Sequence, residues 1–217
     1  RDIDLKWVQK KINITAKKMV EELRGISCMN IESETKNKKS ICTSRTFGNM
    51  IKSECEISSL FAMYTTRCGQ KLRSQNSYAT IAHIFLSTNP FRKDLKQYSK
   101  SKIIKFPVPT HDTGEMISYI LTGFKQIYKK GYSYKRAGVI LSGIIPEGQV
   151  QQNIFDKVDR SKSKILMKTI DNINKNIGRD IIRSASQGYS KKWELKQRSL
   201  SPCYTTRWSD LLIVDTD

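Results

Sequence analysis

Histidine is nearly absent from this 217-residue chain, which holds two, and its five cysteines include no C-x-x-C pair. Each scarcity excludes chemistry. His83 sits inside an apolar stretch and His111 beside a helix start, so neither joins the converging groups that a zinc site or a Ser-His-Asp triad needs. Both read as structural. Cys28, Cys42, Cys55, Cys68 and Cys203 are odd in number and cannot complete a disulfide framework; they read as reduced, mostly buried small hydrophobes. No run of about 18 apolar residues offers a membrane span, and no apolar leader opens the chain, so the expectation is a cytosolic protein with no membrane partner. Gly-rich phosphate loops and metal-ligand constellations are missing too, which argues against a stand-alone enzyme. Acidic residues are few, 20 against 39 Lys and Arg, and the resulting net charge of +19 favours a polyanionic partner such as nucleic acid. The first residue is Arg1, not Met, which reads as a fragment or a processed chain.

What is present divides by pattern. Residues 1–30 carry Leu5, Val8, Ile12, Met19, Val20 and Leu23 among charged residues, as in one or two short helices ending near Arg24-Gly25. Residues 31–40 have the composition of an exposed linker. From 41 to 146 the elements read β-α-β-β-α-β. ICTSRTFG is a strand closed by Gly48, and Ile57, Leu60, Phe61, Tyr64, Cys68 and Leu72 share one face of a helix. Tyr78 to Leu86 is a near-continuous apolar strand; Lys102 to Phe106 is a shorter one, stopped by Pro107 and Pro109. Asp112 with Glu115 offers a capping box for a second amphipathic helix carrying Met116, Ile117, Ile120, Leu121, Phe124, Ile127 and Tyr128. Lys135 to Ile145 is the last strand, ended by Pro146.

Four strands and two helices in that order most simply make one sheet with both helices on one face. The fold class is therefore α+β, with the other face open to water or a ligand. Cations are dense in this layer, and the loop NPFRKDLKQYSKSK interleaves Phe91 and Tyr98 with them, which suits backbone phosphates with occasional stacking. A charge run is commonly only a solvated face. Here the excess continues through neighbouring elements, which weighs towards phosphate contact. Residues 147–160 read as a second linker and 161–217 as an extension: a third helix with Ile165, Leu166, Thr169, Ile170, Ile173 and Ile177, stopped at Gly178, then Ile181-Ile182 as a short strand. Tyr204, Trp208, Leu211 and Leu212 supply apolar anchors near the end.

Several ordered blocks, ELRGISC, SRTFG, TNPFRKD, QYS, FPVPTHDT, IYKKGYSYKRAGVIL, PEGQVQQNIFD and SPCYTTRW, resemble the C-terminal half of UmuC-type proteins. Those are the catalytic subunits of bacterial DNA polymerase V and its relatives, within the Y family of translesion polymerases. The resemblance implies that residues 1–30 end a thumb, that 41–146 form a little finger domain laid in the major groove of primer–template duplex DNA, and that 161–217 are an extension open to accessory subunits. Within the second linker, Gln151, Ile154 and Phe155 resemble the short peptide that docks bacterial polymerases on the sliding clamp, with Gln152 where Leu is frequent. A capping turn that packs Phe155 on its own domain is the other reading of that segment. The resemblance also implies a Mg2+-dependent palm in the parent polymerase. Asp2 and Asp4 make a D-x-D here but lack a following strand and a third carboxylate, so no catalytic residue, metal site or cofactor is expected in this chain.

The reading is thus a non-catalytic DNA-binding part of an error-prone polymerase of the SOS response, with Arg45, Arg92, Lys93, Lys102, Lys105, Lys135 and Arg136 as expected phosphate contacts. Two other classes compete. A protein-interaction module would act through the linker peptide and the aromatic tail. An RNA-binding sheet would stack bases on paired aromatics, and the candidate strands offer only Phe47 and Phe85.

Overall fold

Side-chain caps set the first helices. The Asp4 carboxylate accepts from the backbone amides of Lys6 and Trp7, each at 3.1 Å, to open α1 (Leu5–Lys11). The Asn13 side chain accepts from Ala16 N at 2.8 Å to open α2 (Ile14–Leu23). Gly25 then leaves the helix with φ +87, a conformation that costs glycine nothing. The structure, a computed structural model, describes residues 1–29, 36–151, 156, 158–189 and 200–212. It forms two compact units, 1–37 and 38–217.

The larger unit is built on β1 (Ile41–Ile51), β2 (Ser77–Thr88), β3 (Ser99–Thr110) and β4 (Tyr134–Pro146). They form one antiparallel sheet in the order β1-β4-β2-β3. Between them come α3 (Glu54–Ser74), joining β1 to β2, and α4 (Thr113–Ile127), joining β3 to β4. Both crossovers skip one strand, and both helices lie on the same face, packed on each other and on the sheet. The six α3 residues expected on one face are all buried, and five of the seven from α4, Met116, Ile117, Ile120, Phe124 and Ile127, join them. From the sheet come Ile41, Ala82, Ile84, Leu86, Ala137, Val139 and Leu141. The α+β order and the one-sided helical layer match the reading from sequence.

Tyr78 to Leu86 is the expected strand, with Ala82, Ile84 and Leu86 pointing into the core and Ile81, His83 and Phe85 half-buried on the far face. Three local expectations are corrected. The third strand does not stop at Pro107. It runs to Thr110, because it lies at the sheet edge and its register jumps between Lys105 opposite Ile81 and Thr110 opposite Ala79, so both prolines fall where no ladder bond is required. The capping box is half formed. Asp112 accepts from Glu115 N at 2.8 Å, but the Glu115 carboxylate turns away to Arg160, and Asp112 N donates to Thr110 Oγ1 at 3.2 Å instead. Ile181 and Ile182 form no strand; they lie in bends, with Ile182 N and O both bonded to the Asn174 side chain.

α5 (Arg160–Asn176) extends the helical layer. Of the apolar residues that marked this helix in the sequence, Ile165, Leu166 and Ile177 remain exposed and Ile170 and Ile173 are half-buried, while Met167 is buried. Ion pairs add to the contact. Arg73 of α3 grips Asp171 at two points, 2.6 and 2.8 Å, and spends its remaining nitrogen on the His111 carbonyl at 2.7 Å and Thr113 Oγ1 at 2.9 Å. Arg160 bridges Glu115 and Asp156, each at 2.6 Å. Among the described residues no helix is long and apolar enough to cross a membrane.

Two measurements check this arrangement. The Arg73 and Asp171 side chains are 10% and 25% exposed, so Asp171→Ala leaves a largely desolvated guanidinium short of its carboxylate; a loss of about 2 kcal/mol in urea unfolding is expected. A loss within error would remove the bridge from the account of α5 docking. The second concerns His111, whose ring stacks on Tyr78 at 4.1 Å. Burial, then the neighbouring Arg73 charge, hold its pKa below the ordinary 6.5, against the opposing pull of Glu147 and Asp112. The unfolded chain therefore binds the proton more readily, and stability that is complete above pH 6.5 is lost as pH falls below it. His111→Phe, which keeps the stack, should flatten that part of the stability–pH curve.

Candidate nucleic-acid interface

Strand register determines what the open face presents. Residues paired across the sheet point to the same side, so four rows can be read from β1 across β4 and β2 to β3. They are Thr46, Arg136, Ser87, Ser99; then Ser44, Gly138, Phe85, Ser101; then Cys42, Ile140, His83, Ile103; and last Ser142, Ile81, Lys105. The rows hold two cations and no carboxylate. The rest is small hydroxyls with an apolar centre. Beyond the last row, Gly143 takes φ +59 with its Cβ direction filled by Thr80 Oγ1, so the strand bends where no other residue fits easily.

The seven expected phosphate contacts separate accordingly. Arg136 and Lys105 stand on the open face. Arg45 pairs with Ala137 and Lys102 with Ile84, both core positions, so these two project on the helix side; the Lys102 ammonium reaches the Gln126 side chain of α4. Lys93 is exposed in the loop after β2, whereas its neighbour Arg92 is held by Asp94 at 2.8 and 2.7 Å. Lys135 donates to the Gly48 carbonyl at 3.1 Å. Gln151 is exposed, and Ile154 and Phe155 lie outside the described residues.

Further cations gather at one end of the sheet. β2 ends, β4 begins and β1 finishes there, as the pairing of Tyr134 with both Thr88 and Ile51 requires. The loops at that end bring Arg92, Lys93, Lys96, Lys129 and Lys130 beside Arg136. A tyrosine cluster braces them. Tyr98 packs on Tyr132 at 4.8 Å and its hydroxyl donates to Ile127 O at 2.9 Å; Tyr134 Oη bonds both backbone groups of Lys129, at 3.0 and 2.9 Å. Tyr98 is therefore committed to the fold, not to stacking, while Phe91 is 90% exposed. The opposite end carries Glu115, Glu147 and Asp156, each matched to a cation of α5. Among the described residues no group of three or more His, Cys, Asp and Glu could hold a metal ion.

Gly138 and the hydroxyl rows were not singled out from the sequence. The strand signal for them existed, in the alternation of Ile81, His83 and Phe85 with buried neighbours, but the partner strand had to be known to assemble the rows. Thiol chemistry reads the two sides. Burial pushes the Cys68 thiol up to about 11, and it lies against Thr43 Oγ1 at 3.2 Å. Cys42 is exposed on the open face and Cys55 is exposed near the start of α3. Site-resolved alkylation of the native chain should modify Cys42 and Cys55 and spare Cys68 until unfolding; early labelling of Cys68 would contradict the sheet register.

Comparison with known proteins places these features. Residues 38–154 match the model described as the impB/mucB/samB family C-terminal domain, and residues 164–214 match a domain of unknown function, DUF4113. The chain is 32% identical over 206 residues to protein ImpB of Salmonella typhimurium, covering 94% of this chain and 48% of that protein. Protein UmuC of Salmonella typhimurium strain LT2 is 33% identical over 210 residues, 96% of this chain and 50% of that one. DNA polymerase IV of Clostridium acetobutylicum is 32% identical over 114 residues, 52% of this chain and 27% of the polymerase. The chain spans about half the length of the ImpB and UmuC proteins it matches. On its family match and its β-α-β-β-α-β sheet, the chain belongs to the impB/mucB/samB family.

Proposed function

We propose that this chain is the DNA-gripping part of a Y-family translesion polymerase, non-catalytic by itself, in which the 41–146 sheet domain holds primer–template duplex through its phosphates. The observation that carries this is electrostatic. In a chain of net charge +19, α3 and α4 lie on one face of the sheet, and the four rows of the other face contain no carboxylate while cations crowd one end. Phosphate contacts of this kind ignore base identity, as a polymerase that must slide along any sequence requires. The likeness to a DNA polymerase over half of the chain supports the same partner.

In this reading residues 1–30 end the thumb and the Mg2+-binding palm belongs to the parent polymerase, whose chemistry serves damage bypass in the bacterial cytoplasm. Gln151, Ile154 and Phe155 tether the enzyme to the sliding clamp. The extension presents exposed apolar groups, Ile165, Leu166, Ile177, Trp208 and Leu212, which suit contact with accessory subunits.

Fluorescence anisotropy of a labelled primer–template against the chain, in a KCl series from about 50 to 200 mM, tests the grip. A log–log salt slope near −4 to −5 is expected if roughly five phosphates are neutralised. Bound duplex should also protect Cys42 from alkylation and leave Cys55 reactive. A flat salt titration, or unprotected Cys42, would end the proposal. Ile154→Ala with Phe155→Ala should abolish capture by the sliding clamp and leave duplex binding intact.

A further inference from the structure

At the centre of the open face, the Phe85 side chain does not stand up from its strand. A Cβ added to Gly138, opposite it on β4, would come within 2.4 Å of Phe85 Cζ and 2.5 Å of the Ser44 Cβ. The ring therefore lies across bare backbone that any other residue would occupy. Arg136, two residues earlier on β4, holds its guanidinium carbon 5.4 Å from the centroid of that ring. At this separation the ring quadrupole attracts a cation and limits where the side chain can go.

Arg136 differs in its surroundings from three other arginines of the larger unit. Arg73, Arg92 and Arg160 are each committed to a carboxylate. Among the described residues no ion pair involves Arg136. Its neighbours in the row are Thr46, Ser87 and Ser99, all hydroxyl donors. An exposed planar guanidinium with its orientation restricted, no local anion and hydroxyls on both sides is complementary to a phosphodiester, which accepts two parallel N–H bonds and further O–H bonds.

Resting on the duplex-binding reading, we infer that Arg136 is a pre-positioned phosphate anchor, held over the open face by Phe85, and that glycine at 138 is what lets the ring lie there. Phe85 is a positioning residue in this scheme and Arg136 the residue that meets the phosphate. The ligand class is the nucleic-acid backbone, contacted without regard to base.

The test uses the same 217-residue chain and labelled primer–template in a KCl series, with thermal melting as a check that each variant folds. Arg136→Ala should weaken binding roughly tenfold near 0.1 M salt and make the salt slope shallower by about 0.9, one phosphate. Phe85→Leu keeps an apolar side chain and removes the ring quadrupole; a loss of about two- to fivefold is expected. The double variant should bind no worse than Arg136→Ala alone, because the ring acts only through the arginine. Gly138→Ala should copy Phe85→Leu, and if that variant does not fold, the leucine variant carries the comparison. An unchanged slope in Arg136→Ala, or losses that simply add in the double variant, would overturn the anchor while leaving duplex binding itself standing. Failure of the unmodified chain to bind duplex would overturn both.

Discussion

Because β4 enters between β1 and β2, pairing with each, the two helical crossovers must interleave, and right-handed crossovers then bring α3 and α4 down on the same face of the sheet. The other properties of the larger unit depend on this insertion. It puts Ala137, Val139 and Leu141 at the middle of the core, opposite the apolar faces of both helices. It also sets Arg136 and Gly138 on an inner strand of the face away from α3 and α4, where an edge strand could not have placed them. A helical layer on both faces would have buried the same sheet more completely.

Charge is used in two ways on the two sides. Towards the helical layer, arginines are consumed by carboxylates: Arg73 by Asp171, Arg160 by Glu115 and Asp156. These pairs are partly desolvated and hold α5 to α3 and α4, so the start of the segment matching a domain of unknown function is structurally a third helix of the sheet domain. On the open face the arrangement is the reverse. Acids are absent from the rows, hydroxyls replace them, and Arg136 rests on a ring. Arg73 and Arg160 are thus structural cations, whereas Arg136 meets no carboxylate among the described residues, although all three contribute alike to the net charge.

Much of the fold was legible along the chain. Helical periodicity identified the buried face of α3 residue by residue, because a helix that must cover a sheet repeats its apolar contacts every three or four positions. Asp112 announced the start of α4 through its own short-range bond to Glu115 N. The errors have a common source. Pro107 and Pro109 looked like a strand end, but an edge strand with a register shift tolerates them. Ile165 and Leu166 marked the helix but not its contacts, because Asp171 of α5 pairs with Arg73, far away in the sequence.

Element order, helix faces, caps and the excess of positive charge were determined by the sequence itself, since each rests on residues within a few positions of one another or on composition alone. Which cations emerge on the side away from the helices was decided only by tertiary structure. Strand side chains alternate with period two, so the side on which Arg45, Lys102, Lys105 and Arg136 emerge depends on the register of each strand and on which face the helices cover. Whether an arginine remains available depends further on partners distant in the chain, as Arg73 and Asp171 are, 98 residues apart. No local pattern encodes either condition, because both are set when the sheet closes.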